Sequence, residues 1–184
     1  MVLPAVADVS GTRHDMAIAI IGCGNPNRSD DGVGTEVVRT LRSRQQFHVP
    51  GVVLLDAGTD GMGVMFAARG SSSLIVIDAC RSGSHAGAIF EVPGTELESP
   101  HVPSLTLHDF RWDHALFAGR RLFGAAFPKD ITVFLVEAET LEIGIGLSEP
   151  VARAAGEVAL RIESMVLSKL QSANECERGA SRDQ

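Results

Sequence analysis

Blocks of apolar residues along the chain predict a series of short strands. Most of these blocks lack the polar alternation of a half-exposed strand, which is typical of strands buried on both faces of a sheet. The predicted strands are Met16–Gly22, Val52–Asp56, Leu74–Asp78, Ala88–Val92 and Ile131–Val136, of which the fourth alternates in part.

Segments with helical spacing of apolar residues separate most of these strands. The predicted helices are Asp31–Arg44, Gly61–Arg69, Leu105–Phe123 and Pro150–Leu170, and Pro93–Pro103 is predicted to be a loop. In the last helix the apolar residues follow the i, i+3, i+4, i+7 pattern, and Ser148 is its predicted N-cap. Strands that are separated by helices indicate an α/β fold of three layers, αβα, with a mostly parallel sheet.

The length and composition predict one domain. The chain has 184 residues, 45% of them hydrophobic, which suffices for one core but not for two. We expect a domain over residues 16–171, a flexible N-terminal arm over 1–15 and a flexible C-terminal tail over 172–184. No apolar run reaches the ~18 residues of a membrane helix and no signal peptide is recognisable, so no membrane association is expected.

The charge and the cysteines argue against a nucleic-acid-binding protein and against a fold held by disulfides or a zinc cluster. The net charge is −7 and no run of Lys or Arg interrupts it, whereas proteins that bind nucleic acid usually carry a basic patch. The three cysteines show no CxxC spacing, which argues against a disulfide framework or a zinc cluster. We therefore expect no nucleic-acid partner, and a location in the reducing cytoplasm.

The segment after the first strand partly matches a dinucleotide-binding loop. Gly22-Cys23-Gly24 supplies the first two glycines of the G-x-G-x-x-G pattern, but Asn27 occupies the third position. Asp30 and Asp31 then open the helix, where two carboxylates would repel a pyrophosphate. The loop therefore favours a cation, although either acid could instead cap the helix.

Acidic residues follow the first three predicted strands. Asp31 comes after the first strand and its loop, and Asp56 and Asp78 close the second and third. Ligands of parallel sheets bind beyond the carboxyl ends of the strands, so these acids converge if the strands are neighbours. Asp56 could instead form a turn with the residues that follow it. Asp78 ends a strongly apolar strand. A carboxylate in such surroundings is unfavourable unless it binds a partner, which argues against a purely structural role.

Histidine and cysteine residues could complete a metal site. Two carboxylates and one imidazole would suit a divalent ion such as nickel or zinc. Spacing alone leaves His101, His108 and His114 open as the third ligand. Cys80, two residues beyond Asp78, could be a thiolate ligand or nucleophile, but a small buried cysteine is the favoured interpretation.

Several segments, in order, resemble the motifs of the nickel–iron hydrogenase maturation proteases. The resemblance extends from about Met16 to Leu170. The matching segments are Gly22–Gly34, Asp56–Thr59, Leu74–Ala79, Leu107-His108 and Ile143–Pro150. It implies a three-layer α/β fold with a twisted five-stranded sheet. It also implies an endopeptidase that removes the C-terminal extension of the hydrogenase large-subunit precursor after nickel has been inserted.

The resemblance also implies roles for individual residues. The metal ligands would be Asp31, Asp78 and His108, and the nickel would be carried by the substrate rather than held permanently. Asp56 and Asp78 would be catalytic, which leaves Asp30 as the helix cap. The residues implied in substrate binding are Gly24, Asn25, Gly58 and Thr59.

Two positions depart from the family pattern. Asp31 stands where many members have Glu, and Ala57 replaces a glycine, which would matter if that residue needed a positive φ.

Two other functions remain open on the residues alone. One is a nucleotide-binding oxidoreductase, and the other is a nickel chaperone without enzymatic activity.

Overall fold

The computed structural model describes residues 17–97 and 111–180. The strands are β1 (Ile18–Cys23), β2 (Val52–Gly58), β3 (Ser73–Cys80), β4 (Ile89–Pro93) and β5 (Asp130–Glu137). The α-helices are α1 (Val33–Arg42), α2 (Gly61–Ala68), α3 (Gly94–Leu97), α4 (Trp112–Phe123) and α5 (Glu149–Ala180). A 3-10 helix, Ser29–Gly32, precedes α1 directly.

The strands form one five-stranded sheet in the order β2-β1-β3-β5-β4. All neighbouring strands are parallel except β4, which runs antiparallel to β5. In β1, Gly22 lies opposite both Asp56 of β2 and Ile77 of β3. The first three strands are therefore neighbours, and their carboxyl ends share one edge, as the positions of the acids require.

Helices cover both faces of the sheet, which confirms the predicted three-layer α/β class. Ile18 and Ile20 of β1 point into a core shared with α1 and α5, whereas Ala19 and Ile21 point into a core shared with α2 and α4. All four side chains are fully buried. Burial on both faces is why the strand sequence shows no polar alternation.

Helix α1 packs directly on the strand backbones. A Cβ atom at Gly34 would lie 2.3 Å from the Cys23 carbonyl oxygen and 2.5 Å from that of Ile77, so no larger residue fits there. This close approach sets the 3-10 helix, with Asp30 and Asp31, at the carboxyl edge of β1 and β3. Gly34 thus serves helix–strand packing.

Two predicted segments differ from the structure by more than two residues at one end. Residues 94–97 of the predicted Pro93–Pro103 loop form α3, and α5 continues to Ala180, beyond the predicted end at Leu170. The predicted tail over 172–184 therefore begins inside a helix; its flexibility, the arm over 1–15 and the bounds of the domain stay predictions. The start of the helix predicted from Leu105 lies outside the described residues. No helix within the described ranges has the length and apolar character needed to cross a membrane.

Candidate active site

A cleft of about 680 Å³ opens at the carboxyl edge of the parallel strands. It is lined by side chains from the ends of β1 and β3, from the loops after β1 and β2, and from the start of α4. Among its lining residues are Gly24, Asp31, Thr59, Asp78, Cys80 and Arg111. Two of the three predicted acids therefore face the same cavity.

Asp78 is the buried carboxyl group of this cleft, with only 6% of the residue exposed. Its Oδ2 accepts a hydrogen bond of 2.7 Å from Nε1 of Trp112 and lies 3.6 Å from the guanidinium of Arg111. Burial raises the pKa of Asp78 to about 6, although Trp112, the Ala79 amide and Arg111 all favour the charged form. A carboxyl group with this pKa can exchange a proton close to neutral pH.

Asp31 lies beside Asp78, across Gly24. Its Oδ2 accepts a 2.9 Å hydrogen bond from the Asn25 amide, which fixes the carboxylate against the β1 loop. A Cβ atom at Gly24 would lie 1.7 Å from the Asp31 carbonyl oxygen and 3.5 Å from Oδ1 of Asp78, and the φ of Gly24 is +112°. The negative charge of Asp31 also raises the pKa of Asp78. Gly24 therefore packs between the Asp31 backbone and the Asp78 side chain, where no larger residue fits.

Asp30 is fully buried, and its predicted role as a helix cap is wrong. Neither the 3-10 helix nor α1 has a side-chain cap. The Asp30 carboxylate instead accepts hydrogen bonds from the amides of Glu139, Thr140 and Ser148, and from the Ser148 hydroxyl. Ser148 does precede α5, as predicted, but its hydroxyl binds Asp30. The two adjacent acids thus differ in their contacts: Asp31 lines the cleft, whereas Asp30 is hydrogen-bonded to the loop over residues 139–148.

Asp56 is exposed and does not line the cleft. Its Oδ1 accepts hydrogen bonds from the Gly58 amide and the Thr35 hydroxyl, both at 3.1 Å, so it forms the turn that was its alternative interpretation. The left-handed residue of this turn is Gly58, with φ +53°, whereas Ala57 has no positive φ. The departure at Ala57 therefore leaves the turn intact.

The residues implied in substrate binding divide into two groups. Gly24, Gly58 and Thr59 line the cleft. Asn25 does not; its side chain accepts a hydrogen bond from the Asn27 amide within the loop. A substrate-binding role for all four residues stays a prediction.

The third metal ligand cannot be placed, because His108 and His101 lie outside the described residues. His114 is on α4 and is not among the residues that line the cleft. Within the ranges 17–97 and 111–180, no cluster of three His, Cys, Asp or Glu residues is arranged to hold a metal ion. Asp31 and Asp78 thus bring two carboxylates to the cleft, and the role of these residues and of His108 as metal ligands stays a prediction.

Three residues of the cleft region were not predicted from the sequence. Trp112 and Arg111 contact Asp78, and Trp112 is the one tryptophan of the chain, which was the available signal. Glu137, at the end of β5, is buried and accepts hydrogen bonds from the Ser82 and Gly83 amides and from the Ser82 hydroxyl. These hydrogen bonds lower the pKa of Glu137 to about 2. It therefore holds the loop after β3 as a charged carboxylate.

Cys80 is a half-buried thiol beside Glu137. Its Sγ lies 3.5 Å from Oε2 of Glu137 and donates to it. Burial and the neighbouring carboxylate raise the pKa of Cys80 to about 12. Because the thiolate is the nucleophilic form, this raised pKa argues against Cys80 as a nucleophile at neutral pH.

Comparisons with known proteins agree with this architecture. The model of the hydrogenase maturation protease family matches residues 35–165. The chain is 32% identical over 147 residues to the hydrogenase 2 maturation protease of Escherichia coli, covering 79% of this chain and 87% of that protein. It is 33% identical over 147 residues to the hydrogenase expression/formation protein HoxM of Azotobacter vinelandii, covering 79% of this chain and 69% of that protein.

A solved structure has the same fold. The hydrogenase maturating endopeptidase HybD from E. coli superposes with a TM-score of 0.68 at 29% identity, covering 86% of this chain and 94% of that one. The family match spans well over half of the chain and includes most of α1, all but the first strand, and about the first half of α5. The chain therefore belongs to the hydrogenase maturation protease family and is a peptidase.

Proposed function

We propose that this peptidase removes the C-terminal extension of a nickel–iron hydrogenase large-subunit precursor after nickel has been inserted. Family membership sets the oxidoreductase alternative aside. The relatives named as hydrogenase maturation proteases support the class of substrate. The observation that supports the nickel dependence is that Asp31 and Asp78 line the same cleft, close enough for the charge of Asp31 to raise the pKa of Asp78.

In this proposal the nickel belongs to the substrate, and the peptidase binds it through carboxylate oxygens. Asp31 and Asp78 supply two ligands and His108 the third, a mixed oxygen and nitrogen set that suits a borderline divalent ion. Burial raises the pKa of Asp78 to about 6, so at neutral pH most of this carboxyl group is ionised and able to bind a cation. A precursor without nickel would lack the group that these ligands recognise.

The peptide bond is cleaved with the help of that ion and of one carboxylate. The ion, or a group that it orients, polarises the scissile carbonyl or lowers the pKa of a water molecule. Asp78 suits proton transfer better than Asp56, because Asp78 faces the cleft and has a raised pKa. Asp56 is exposed and engaged in its turn, which fits substrate recognition better.

Substitutions of the carboxylates test this assignment. We expect Asp31→Asn and Asp78→Asn each to slow cleavage of the nickel-loaded precursor by about 100-fold or more, because a ligand or proton acceptor is lost. Asp31→Glu keeps the charge and the oxygen ligands, so it should retain most of the activity. The measurement is the rate at which the precursor loses the mass of its extension, followed by intact-mass spectrometry.

A third acid of the same cleft provides the control. Asp60 lines the cleft and caps α2 by accepting a 2.9 Å hydrogen bond from the Gly63 amide, a role that Asn also fills. Asp60→Asn should therefore cleave at close to the wild-type rate. Equal losses in all three Asn variants would contradict a specific role for Asp31 and Asp78. A precursor that binds the wild-type protein but keeps its full mass would instead identify a chaperone.

A further inference from the structure

The loop over residues 139–148, between β5 and α5, is closed at its base by one buried carboxylate. Asp30 accepts hydrogen bonds of 2.9 and 3.0 Å from the Glu139 and Thr140 amides at one end, and of 2.7 Å from the Ser148 amide at the other. The two ends of the loop are thus held together by a group that is fully buried. The hydrogen bonds to Asp30 therefore fix the conformation of both ends of the loop.

The tip of the same loop is attached to the segment before α1. Gly144 forms a parallel bridge with Arg28: its carbonyl accepts from the Ser29 amide at 2.9 Å and its amide donates to Asn27 at 3.0 Å. The Ser29 hydroxyl donates to the Glu142 carbonyl at 3.1 Å. Ser29 adopts a φ of +50°, a left-handed conformation that non-glycine residues rarely occupy. The loop is therefore fixed along its length.

This fixed loop holds two isoleucine side chains in the solvent. Ile143 is 91% and Ile145 93% exposed. A Cβ atom at Gly144 would lie 2.6 Å from Oγ of Ser29, so position 144 faces the protein. Ile143 and Ile145 lie on either side of Gly144 and are almost fully exposed, so both isoleucines point outward. Single exposed apolar residues are ordinary, but two that flank one glycine on a hydrogen-bonded loop are suited to contact another protein.

The isoleucine pair lies between the cleft and a second groove. Leu141 and Arg28, from the loop and its partner segment, line the cleft. On the other side, Ile145, Gly146 and Leu147 line a groove of about 520 Å³ formed with α1 and the first turns of α5. The floor of this groove at α5 is made of Ala152, Ala155 and Gly156. The loop thus runs from the cleft, at Leu141, to this groove, at Leu147, with the exposed Glu142, Ile143 and Ile145 between them.

We propose that Ile143, Ile145 and the adjoining groove dock an apolar surface of the substrate protein next to the bond that is cleaved. The cleft itself mixes charged side chains, such as Asp31 and Arg111, with apolar ones, and Ile143 and Ile145 would add exposed apolar anchors beside it. Interfaces between proteins depend on such anchors near their centre. This inference rests on the proposed function for the identity of the substrate, the large-subunit precursor.

The test is a double substitution, Ile143→Asp with Ile145→Asp. The dissociation constant of the nickel-loaded precursor, measured by titration, should rise about tenfold or more, whereas the cleavage rate at saturating precursor should change little. Because both side chains are exposed, the variant should keep the wild-type melting temperature. If it does not, Ile143→Ser with Ile145→Ser replaces it and should weaken binding in the same direction.

Leu122→Asp is the matched control. Leu122 is 63% exposed near the end of α4, a helix that packs on the opposite face of the sheet from α1 and α5. This control should bind the precursor as the wild type does. An unchanged dissociation constant in the double variant, or an equal loss in the control, would overturn the docking surface.

Two further outcomes separate the docking surface from the proposed function. Wild-type protein that binds the precursor without changing its mass would contradict the proposed function, while the binding comparison would still decide the docking surface. A wild-type dimer that the double variant converts to a monomer, with precursor binding unaffected, would identify a self-association surface and overturn docking of the substrate. Sedimentation velocity measures that equilibrium.

Discussion

At the scale of single residues, the burial of Asp78 opposes the negative charge that its proposed role requires. It is almost fully buried, yet its charged form is needed to bind a cation or to accept a proton. Trp112, the Ala79 amide and Arg111 favour the charge, but burial outweighs them and leaves the pKa at about 6. Such tension between stability and chemistry is common at functional sites.

The raised pKa of Asp78 predicts how stability depends on pH. The folded state keeps this proton up to about pH 6, whereas the unfolded chain loses it near 3.8. Stability from this group is therefore fully present below pH 3.8 and is lost as pH rises through 6, up to about 3 kcal/mol. Asp78→Asn should remove this loss. Its advantage over the wild type in free energy of unfolding should grow between pH 4 and pH 7.5.

Chemical denaturation at a series of pH values measures this difference. The same variant should cleave the precursor about 100-fold more slowly or worse, so stability and activity should move in opposite directions. A difference between Asp78→Asn and the wild type that stays constant from pH 4 to pH 7.5 would mean that Asp78 is ionised throughout and that its burial has been compensated.

At the scale of elements, the adjacent residues Asp30 and Asp31 connect the same 3-10 helix to different parts of the structure. Asp30 accepts hydrogen bonds from both ends of the 139–148 loop, and Asp31 lines the cleft. The sequence shows two equivalent acids at the start of a helix. Only the long-range contact of Asp30 with a segment more than a hundred residues away distinguishes them, and no local pattern reveals that contact.

This difference predicts unequal effects on stability. Asp30→Ala leaves three amides and a hydroxyl without their charged acceptor, so the free energy of unfolding should fall by about 3–5 kcal/mol. Asp31→Ala loses one amide hydrogen bond in a half-buried place and should cost about 1 kcal/mol. Urea unfolding at pH 7.5 compares the two variants directly. Similar losses in both, or the larger loss in Asp31→Ala, would contradict the structural role of Asp30.

At the scale of the whole molecule, much of the fold follows from hydrophobic patterning. Apolar runs predicted all five strands to within two residues at each end. The signal is clearest in β1 and β3, where burial on both faces favours apolar side chains at successive positions. The order of the strands was not predictable, since pairing between distant segments depends on the assembled core. The convergence of Asp31 and Asp78 could be stated only on the condition that β1 and β3 are neighbours, which the sheet order fulfils.

The candidate site was predictable in part for a related reason. Acids at the ends of apolar strands stand out in the sequence because little else there is charged. Trp112, Arg111 and Glu137 come from other elements, and their contacts with the cleft depend on how α4 and β5 pack. The role of Asp56 was left open between catalysis and a turn, and its geometry supports the turn.

The central claim is that this peptidase acts on a precursor whose nickel it recognises through Asp31 and Asp78. The most direct measurement gives the purified wild-type protein the same large-subunit precursor with and without bound nickel, and follows the intact mass of each. The account predicts that the nickel-loaded precursor loses its C-terminal extension, while the nickel-free precursor keeps its full mass over the same time. Equal rates of cleavage for the two precursors would contradict it.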